Sequence, residues 1–146
     1  MKIKKNNKLR IIWHKILKHN IFFFWTPVFL YMAIIFYFSS TTKPPIPELW
    51  ISTKTYLLHF IEYSVLSFII GIALRHSKHP FLNKHHYVLA IVIAGLYGIS
   101  DEFHQAFVPG RFATISDAFM DFVGALATQL IRWLLKQEKT IIDKVI

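Results

Sequence analysis

The strongest constraint on this chain is the separation of its charged residues from four long apolar stretches. Each stretch is close to the roughly 20 residues that an α-helix needs to cross a bilayer at about 1.5 Å per residue. The stretches are residues 22–39, 56–74, 86–104 and 117–135. A soluble domain would intersperse its charge among the apolar residues at helix or strand period. The sequence therefore predicts an all-α fold, a polytopic membrane protein with a four-transmembrane-helix bundle.

Lys and Arg are unequally divided between the two predicted sides of this bundle. Residues 1–21, the loop between the second and third stretches, and the C-terminal end from Arg132 onward together hold fourteen of them. The first and third loops together hold three. The positive-inside rule therefore predicts a multi-pass protein with both termini in the cytoplasm. The predicted organisation is a cytoplasmic leader (1–21), a membrane domain (22–135) and a cytoplasmic tail (136–146).

The leader has the pattern of an amphipathic helix. Its apolar residues recur at helical spacing opposite a basic face: Leu9, Ile12, Trp13, Ile16 and Leu17. Such a helix is expected to lie on the cytoplasmic surface of the membrane. The net charge of +9 lies beside apolar segments, which indicates membrane lipids as partners and not nucleic acid. The chain has no cysteine, so disulfides and thiolate metal ligands are excluded.

Polar residues converge at the predicted outer ends of three of these helices. Spacings of three or four residues place each set on one helix face. The sets are His59, Glu62 and Tyr63 on the second helix, Asp101, Glu102, His104 and Gln105 on the third, and Asp117 and Asp121 on the fourth. Ionisable groups facing lipid are costly, so these faces are expected to turn toward one another. Together with Arg111, these residues form the predicted candidate site.

The loop between the third and fourth helices is expected to fold back toward this site. Pro109-Gly110 suits the central positions of a type II turn, which would present Arg111 to the cluster. Ser116 is predicted to cap the fourth helix. Each element also has a purely structural interpretation. Asp117 would be a helix-start residue, Arg111 an interfacial anchor, His59–Glu62 a helix-joining hydrogen bond, and His104 a water-facing residue.

The central motif resembles that of the VanZ-like family of membrane proteins. It comprises His59-Phe60, Tyr63 and Leu66, then Asp101-Glu102-x-His104-Gln105, Phe107 and Pro109-Gly110-Arg111, followed by Asp117 and Gly124-Ala125. The resemblance covers about residues 22–135. It implies a protein of the bacterial cytoplasmic membrane that acts in the cell envelope, with an association with resistance to the glycopeptide teicoplanin.

The chain departs from the family pattern at two places. An Asp-Lys pair often precedes the histidine in the family, whereas this chain has Thr55-Tyr56 there. The family often has Asn where this chain has Asp121, so the chain carries an additional carboxylate at the site.

Three functions remain open for the predicted site. The first is a metal-assisted membrane hydrolase or transferase, with Zn, Mn or Fe held by His59, Glu62, Asp101, His104 and Asp117, and with Asp121 nearby. In that hypothesis Glu102 accepts a proton, Tyr63 donates one, and Arg111 holds a phosphate or carboxylate of an envelope lipid. The second is a non-catalytic protein that binds or shields a lipid-linked cell-wall component or a lipoglycopeptide. The third is proton-coupled transport, for which four helices without an inverted repeat are few.

Overall fold

The computed structural model describes residues 21–42 and 52–145, and this part of the chain is helical without any strand. Five helices follow one another: α1 (Ile21–Ser40), α2 (Ser52–Arg75), the short α3 (Pro80–Lys84), α4 (His86–Gln105) and α5 (Ile115–Val145). The all-α prediction is confirmed. The predicted amphipathic leader and the proline-rich first loop lie outside the described residues.

The four long helices coincide with the four apolar stretches to within a few residues at most ends. The exception is the C-terminus of α5, which continues through the predicted tail to Val145. The short helix α3 lies between α2 and α4, and no apolar stretch of the sequence predicts it. Pro80 is the first residue of α3, where its missing amide hydrogen costs little.

The packing of the bundle is inverted relative to that of a soluble protein. Large apolar side chains cover the outside: Phe22, Phe29 and Phe103 are 78%, 62% and 69% exposed. The interior combines apolar residues such as Leu66 and Ile70 with ten buried polar or charged residues. Apolar exteriors with polar groups turned inward are typical of helices that lie in lipid.

Among the described residues, three segments are long and apolar enough to cross a membrane: 22–40, 55–75 and 115–138. They lie on α1, α2 and α5 and indicate a membrane protein. The fourth predicted span corresponds to α4, which is 20 residues long and packs against both α2 and α5. Its ionisable C-terminal residues lower its hydropathy, and its passage through the membrane stays a prediction.

A close contact between α2 and α5 determines which side chains face each other. A Cβ atom at Gly124 would collide with the carbonyl oxygen of Phe60, so the two backbones approach as only glycine allows. Ser64 and Ser67 donate hydrogen bonds across the same contact to the carbonyls of Gly124 and Ala125, each at 3.1 Å. This contact fixes the register of His59 against Asp121.

Candidate functional site

Four helices bring polar side chains together at one end of the bundle. This end, called the carboxylate end below, is formed by the C-terminal ends of α1 and α4 and the N-terminal parts of α2 and α5. Its buried polar residues are Ser39, His59, Asp101, Glu102, Gln105, Asp117 and Asp121. Six of these seven belong to the predicted site, so the expected convergence of three helix faces is present in the structure.

His59 and Asp121 form the central pair of the carboxylate end. Nδ1 of His59 lies 2.9 Å from Oδ1 of Asp121 and 3.9 Å from Oε1 of Glu102. Asp121 is fully buried and packs against Gly98, where a Cβ atom would come within 2.7 Å of its Oδ2. A carboxylate bound to one ring nitrogen fixes the orientation and tautomer of a histidine. While Nδ1 donates to Asp121, Nε2 of His59 is the nitrogen left for a substrate or a proton. A metal ion among His59, Glu102 and Asp121 would take the place of that hydrogen bond.

Asp101 is the centre of a second network, which joins α1 to α4. Ser39 Oγ and Gln105 Nε2 each donate a hydrogen bond of 2.8 Å to Oδ2 of Asp101. Gln105 Nε2 also lies 3.4 Å from Oε1 of Glu102, which links this network to the His59–Asp121 pair. The two networks therefore form one continuous polar cluster.

Thr114 connects the start of α5 to this cluster. Its backbone N–H donates to Oε2 of Glu102 at 2.9 Å. Its Oγ1 donates to Oδ2 of Asp117 at 2.8 Å and accepts from the backbone N–H of Asp117 at 3.1 Å. This is the N-cap arrangement of a helix, so the predicted capping by Ser116 is wrong. Ser116 is the second residue of α5 and is exposed.

The predicted turn before Arg111 is present, with a different target for the arginine. Gly110 has a φ of 78°, and the Arg111 N–H donates to the Val108 carbonyl at 3.1 Å. Arg111 donates from Nε to the Thr41 carbonyl at 3.1 Å and from Nη2 to the Phe38 carbonyl.

The guanidinium of Arg111 thus binds carbonyl groups at the end of α1 and does not contact the carboxylates. Burial lowers the pKa of Arg111, and the nearby carboxylates of Asp101 and Glu62 oppose that shift. An arginine side chain stays charged under these conditions.

The remaining predicted residues lie at the edge of the cluster. His104 stacks on Phe36 with ring centroids 4.5 Å apart, and its Nε2 lies 3.0 Å from Ser40 Oγ. Glu62 is partly buried and interacts electrostatically with His59 and Asp101. Tyr63 is fully buried, and its hydroxyl has no hydrogen-bond partner within the described residues.

The potential metal ligands that lie close together in the structure differ from the predicted ligands. Single donor atoms of His59, Glu102 and Asp121 all lie within 4.8 Å of one another, and all three residues are buried. Of the five predicted ligands only His59 belongs to this group. One imidazole and two carboxylates fit a divalent ion that prefers nitrogen and oxygen ligands. When bound, such an ion would polarise an oxygen of a substrate or a water molecule.

Sequence reasoning missed two residues of the cluster, Ser39 and Thr114. Thr114 had a usable signal, because Thr114-Ile115-Ser116-Asp117 has the spacing of a capping box. Ser39 had only a weak one, the polar run Ser39-Ser40-Thr41-Thr42 at the end of the first apolar stretch. Nothing in that run distinguishes the residue that faces Asp101.

Comparison with known proteins identifies the family of the chain. No curated protein and no solved structure matches it significantly. The model of the VanZ/LLP1 family matches residues 11–136, which include every residue of the carboxylate end. Because this match covers most of the sequence, the chain belongs to the VanZ/LLP1 family.

Proposed function

We propose that this protein spans the membrane of the bacterial cell envelope four times, with its carboxylate end facing outward. The carboxylate end acts on the polar headgroup of an envelope lipid or of a lipid-linked cell-wall component. The observation that carries the proposal is the placement of Asp121 and Glu102 at 2.9 and 3.9 Å from one nitrogen of His59 inside an apolar bundle. Buried ionisable groups are costly in a membrane helix bundle and are typical of functional sites. The uneven distribution of Lys and Arg supports the outward orientation.

The reaction class that suits this arrangement is metal-assisted hydrolysis or group transfer. His59, Glu102 and Asp121 would hold a Zn, Mn or Fe ion, which would polarise the reacting oxygen. Asp101 is kept in place by Ser39 and Gln105, and one of its oxygens has no partner within the described residues. That oxygen is available to accept a proton or a hydroxyl hydrogen of the headgroup.

Metal content and lipid turnover test this proposal directly. Purified wild-type protein should contain a stoichiometric divalent metal, and His59→Ala and Asp121→Ala should lose it, whereas His79→Ala should retain it. Mass spectrometry of envelope lipids should show a product that depends on the wild-type chain and is lost in Asp121→Asn. Wild-type protein without metal and without any change in lipids would contradict the catalytic proposal.

Binding without turnover is the second candidate, and the loop between α4 and α5 favours it. Phe107 and Phe112 of this loop are 72% and 73% exposed beside the carboxylate end. Such apolar side chains could cover a lipoglycopeptide or a cell-wall precursor seated on the polar cluster. In that case teicoplanin resistance would depend on Phe107, Phe112 and Arg111, and the lipid composition would not change.

A further inference from the structure

A second group of hydrogen-bonded polar residues surrounds Arg132 of α5, at the opposite end of the bundle from the carboxylate end. Nη1 of Arg132 donates to Oε1 of Gln129 at 2.8 Å. Gln129 is 1% exposed and is itself held by the carbonyl and hydroxyl of Ser67, at 2.6 and 2.9 Å. A Cβ atom at Gly71 would collide with Nη1, so this glycine provides the space for the guanidinium. Arg132 is therefore positioned inside the bundle and does not merely extend from it.

Aromatic rings and further cations surround this guanidinium. Its central carbon lies 5.1 Å from the centre of the Phe68 ring and 5.7 Å from that of Tyr87. Arg75, the last residue of α2, interacts with Arg132 electrostatically. His86, the first residue of α4, interacts with Arg132, Arg75 and Lys136. The N-terminus of α4 adds the positive end of a helix dipole to the same region.

This group, called the basic cluster below, consists of Arg75, His86, Arg132 and Lys136. In the part of the chain that the structure describes, none of the four forms an ion pair with a carboxylate. The acidic residues of α5 closest in sequence are Glu138 and Asp143, both exposed. Within the described residues, neither forms an ion pair with Arg132 or His86. Cations gathered without carboxylates repel one another unless an anion lies among them.

His86 provides an independent indication of a missing ligand. The residue is 6% exposed, and its Nδ1 donates to the Asn83 carbonyl at 2.8 Å. Its Nε2 is buried and lacks a hydrogen-bond partner within the described part of the chain. Because Nδ1 carries a hydrogen, Nε2 donates only when the ring is protonated. An anion in the basic cluster would stabilise that state.

We propose that the basic cluster binds the phosphate group of an anionic phospholipid headgroup. A planar guanidinium matches phosphate oxygens with two donors at once, and Arg132 has donors beyond the one used by Gln129. Arg132 lies six residues before the end of the apolar segment 115–138. In a spanning α5 it would therefore lie toward the headgroups at that end. Exposed Trp133 and Leu134 beside it would contact the acyl chains. Basic pockets between membrane helices are known to bind anionic headgroups in this way.

The test measures lipid binding to the full-length protein in nanodiscs. Wild-type protein is compared in phosphatidylcholine, in phosphatidylcholine with phosphatidylglycerol, and in phosphatidylcholine with added inorganic phosphate. The readouts are thermal stability and the lipid adducts retained in native mass spectrometry. Arg132→Gln should weaken phosphatidylglycerol binding about tenfold, the value of one charge-assisted hydrogen bond. Lys84→Gln, which removes an exposed cation from α3, is the matched control and should bind like wild type.

The exposed residues Arg75 and Lys136 keep the test valid if Arg132→Gln fails to fold. Arg75→Gln and Lys136→Gln leave the packed interior intact and should each weaken the binding of phosphatidylglycerol several-fold. If phosphatidylglycerol alone stabilises the protein, the ligand is a lipid headgroup. If inorganic phosphate also stabilises it, the basic cluster binds phosphate and the ligand can be a soluble phosphate compound. The proposal is overturned if neither stabilises the wild-type protein, or if Lys84→Gln weakens binding as much as Arg75→Gln and Lys136→Gln.

Discussion

At the scale of single residues, Asp121 is the side chain on which the carboxylate end depends most. It is completely buried, bonds His59 through Oδ1 and keeps Oδ2 unpartnered within the described residues. The sequence predicted that Asp121 shares a helix face with Asp117 and that this face turns inward. It did not predict which carboxylate meets His59. That pairing depends on how closely α2, α4 and α5 approach at Gly124 and Gly98, which helical spacing does not encode.

Replacement of Asp121 should separate its role in folding from its charge. Asp121→Asn keeps an acceptor for His59 Nδ1 and should change the free energy of unfolding by less than about 1 kcal/mol. Asp121→Ala leaves the buried imidazole unpaired and should cost about 1–3 kcal/mol. Thermal unfolding in detergent measures both, with Asp143→Ala as an exposed control. Equal losses for the Asn and Ala variants would show that the hydrogen bond contributes little.

At the scale of elements, the start of α5 shows what local sequence patterns predict correctly and what they miss. The apolar run predicted this helix, and its observed start lies two residues before the predicted one. Ser116 directly precedes Asp117, the first residue of the predicted helix, and so occupies the predicted N-cap position. Thr114 takes the role because it is three residues before Asp117 and its N–H can also reach Glu102. The second contact comes from α4, so local pattern alone did not reveal it.

Removal of the two hydroxyls should distinguish the true cap from the predicted one. Thr114→Ala loses the side-chain cap of α5 and should lower stability by about 1 kcal/mol. Ser116→Ala removes an exposed hydroxyl and should change stability by less than about 0.5 kcal/mol. Chemical denaturation of the two variants in the same detergent provides the comparison. A larger loss for Ser116→Ala would contradict the assigned cap.

The contact between α2 and α5 makes a second prediction at this scale. Gly124→Ala places a methyl group against the backbone of Phe60, which cannot move without displacing α2. Overpacking of this kind typically costs about 1–3 kcal/mol. Gly95→Ala is the matched control, because its methyl group would meet only the Phe122 ring, at 3.2 Å. Thermal unfolding should show a clear loss for Gly124→Ala and a smaller one for Gly95→Ala, and the reverse order would contradict the packing.

At the scale of the whole molecule, the all-helical class and three of the four predicted spans agree with the structure, because membrane helices are encoded by composition. Apolar runs of about 20 residues with few charged residues leave few alternatives to spanning helices. The same argument is weakest for α4, whose ionisable residues lower its hydropathy although it completes the bundle. Composition alone does not distinguish a polar span from a helix at the surface. Although α4 packs against α2 and α5, its passage through the membrane stays a prediction.

Labelling of single cysteines should establish the orientation of the bundle, because the chain contains no cysteine of its own. Phe112→Cys lies in the exposed loop at the carboxylate end, and Lys84→Cys lies on the basic side. A membrane-impermeant maleimide should label Phe112→Cys in intact spheroplasts and Lys84→Cys only after permeabilisation. Labelling of both positions in intact spheroplasts would contradict four spans with both termini in the cytoplasm.

In the proposed function, the carboxylate end, with His59 at its centre, performs the envelope function of this protein. The most direct measurement compares teicoplanin susceptibility of cells that produce wild type, His59→Gln and His79→Gln at equal membrane levels. Wild type is expected to protect cells relative to cells without the chain. His59→Gln should abolish this expected protection, because Gln cannot replace an imidazole held by two carboxylates. His79→Gln, on the exposed loop at the other end, should retain that protection. Full protection by His59→Gln would contradict the claim.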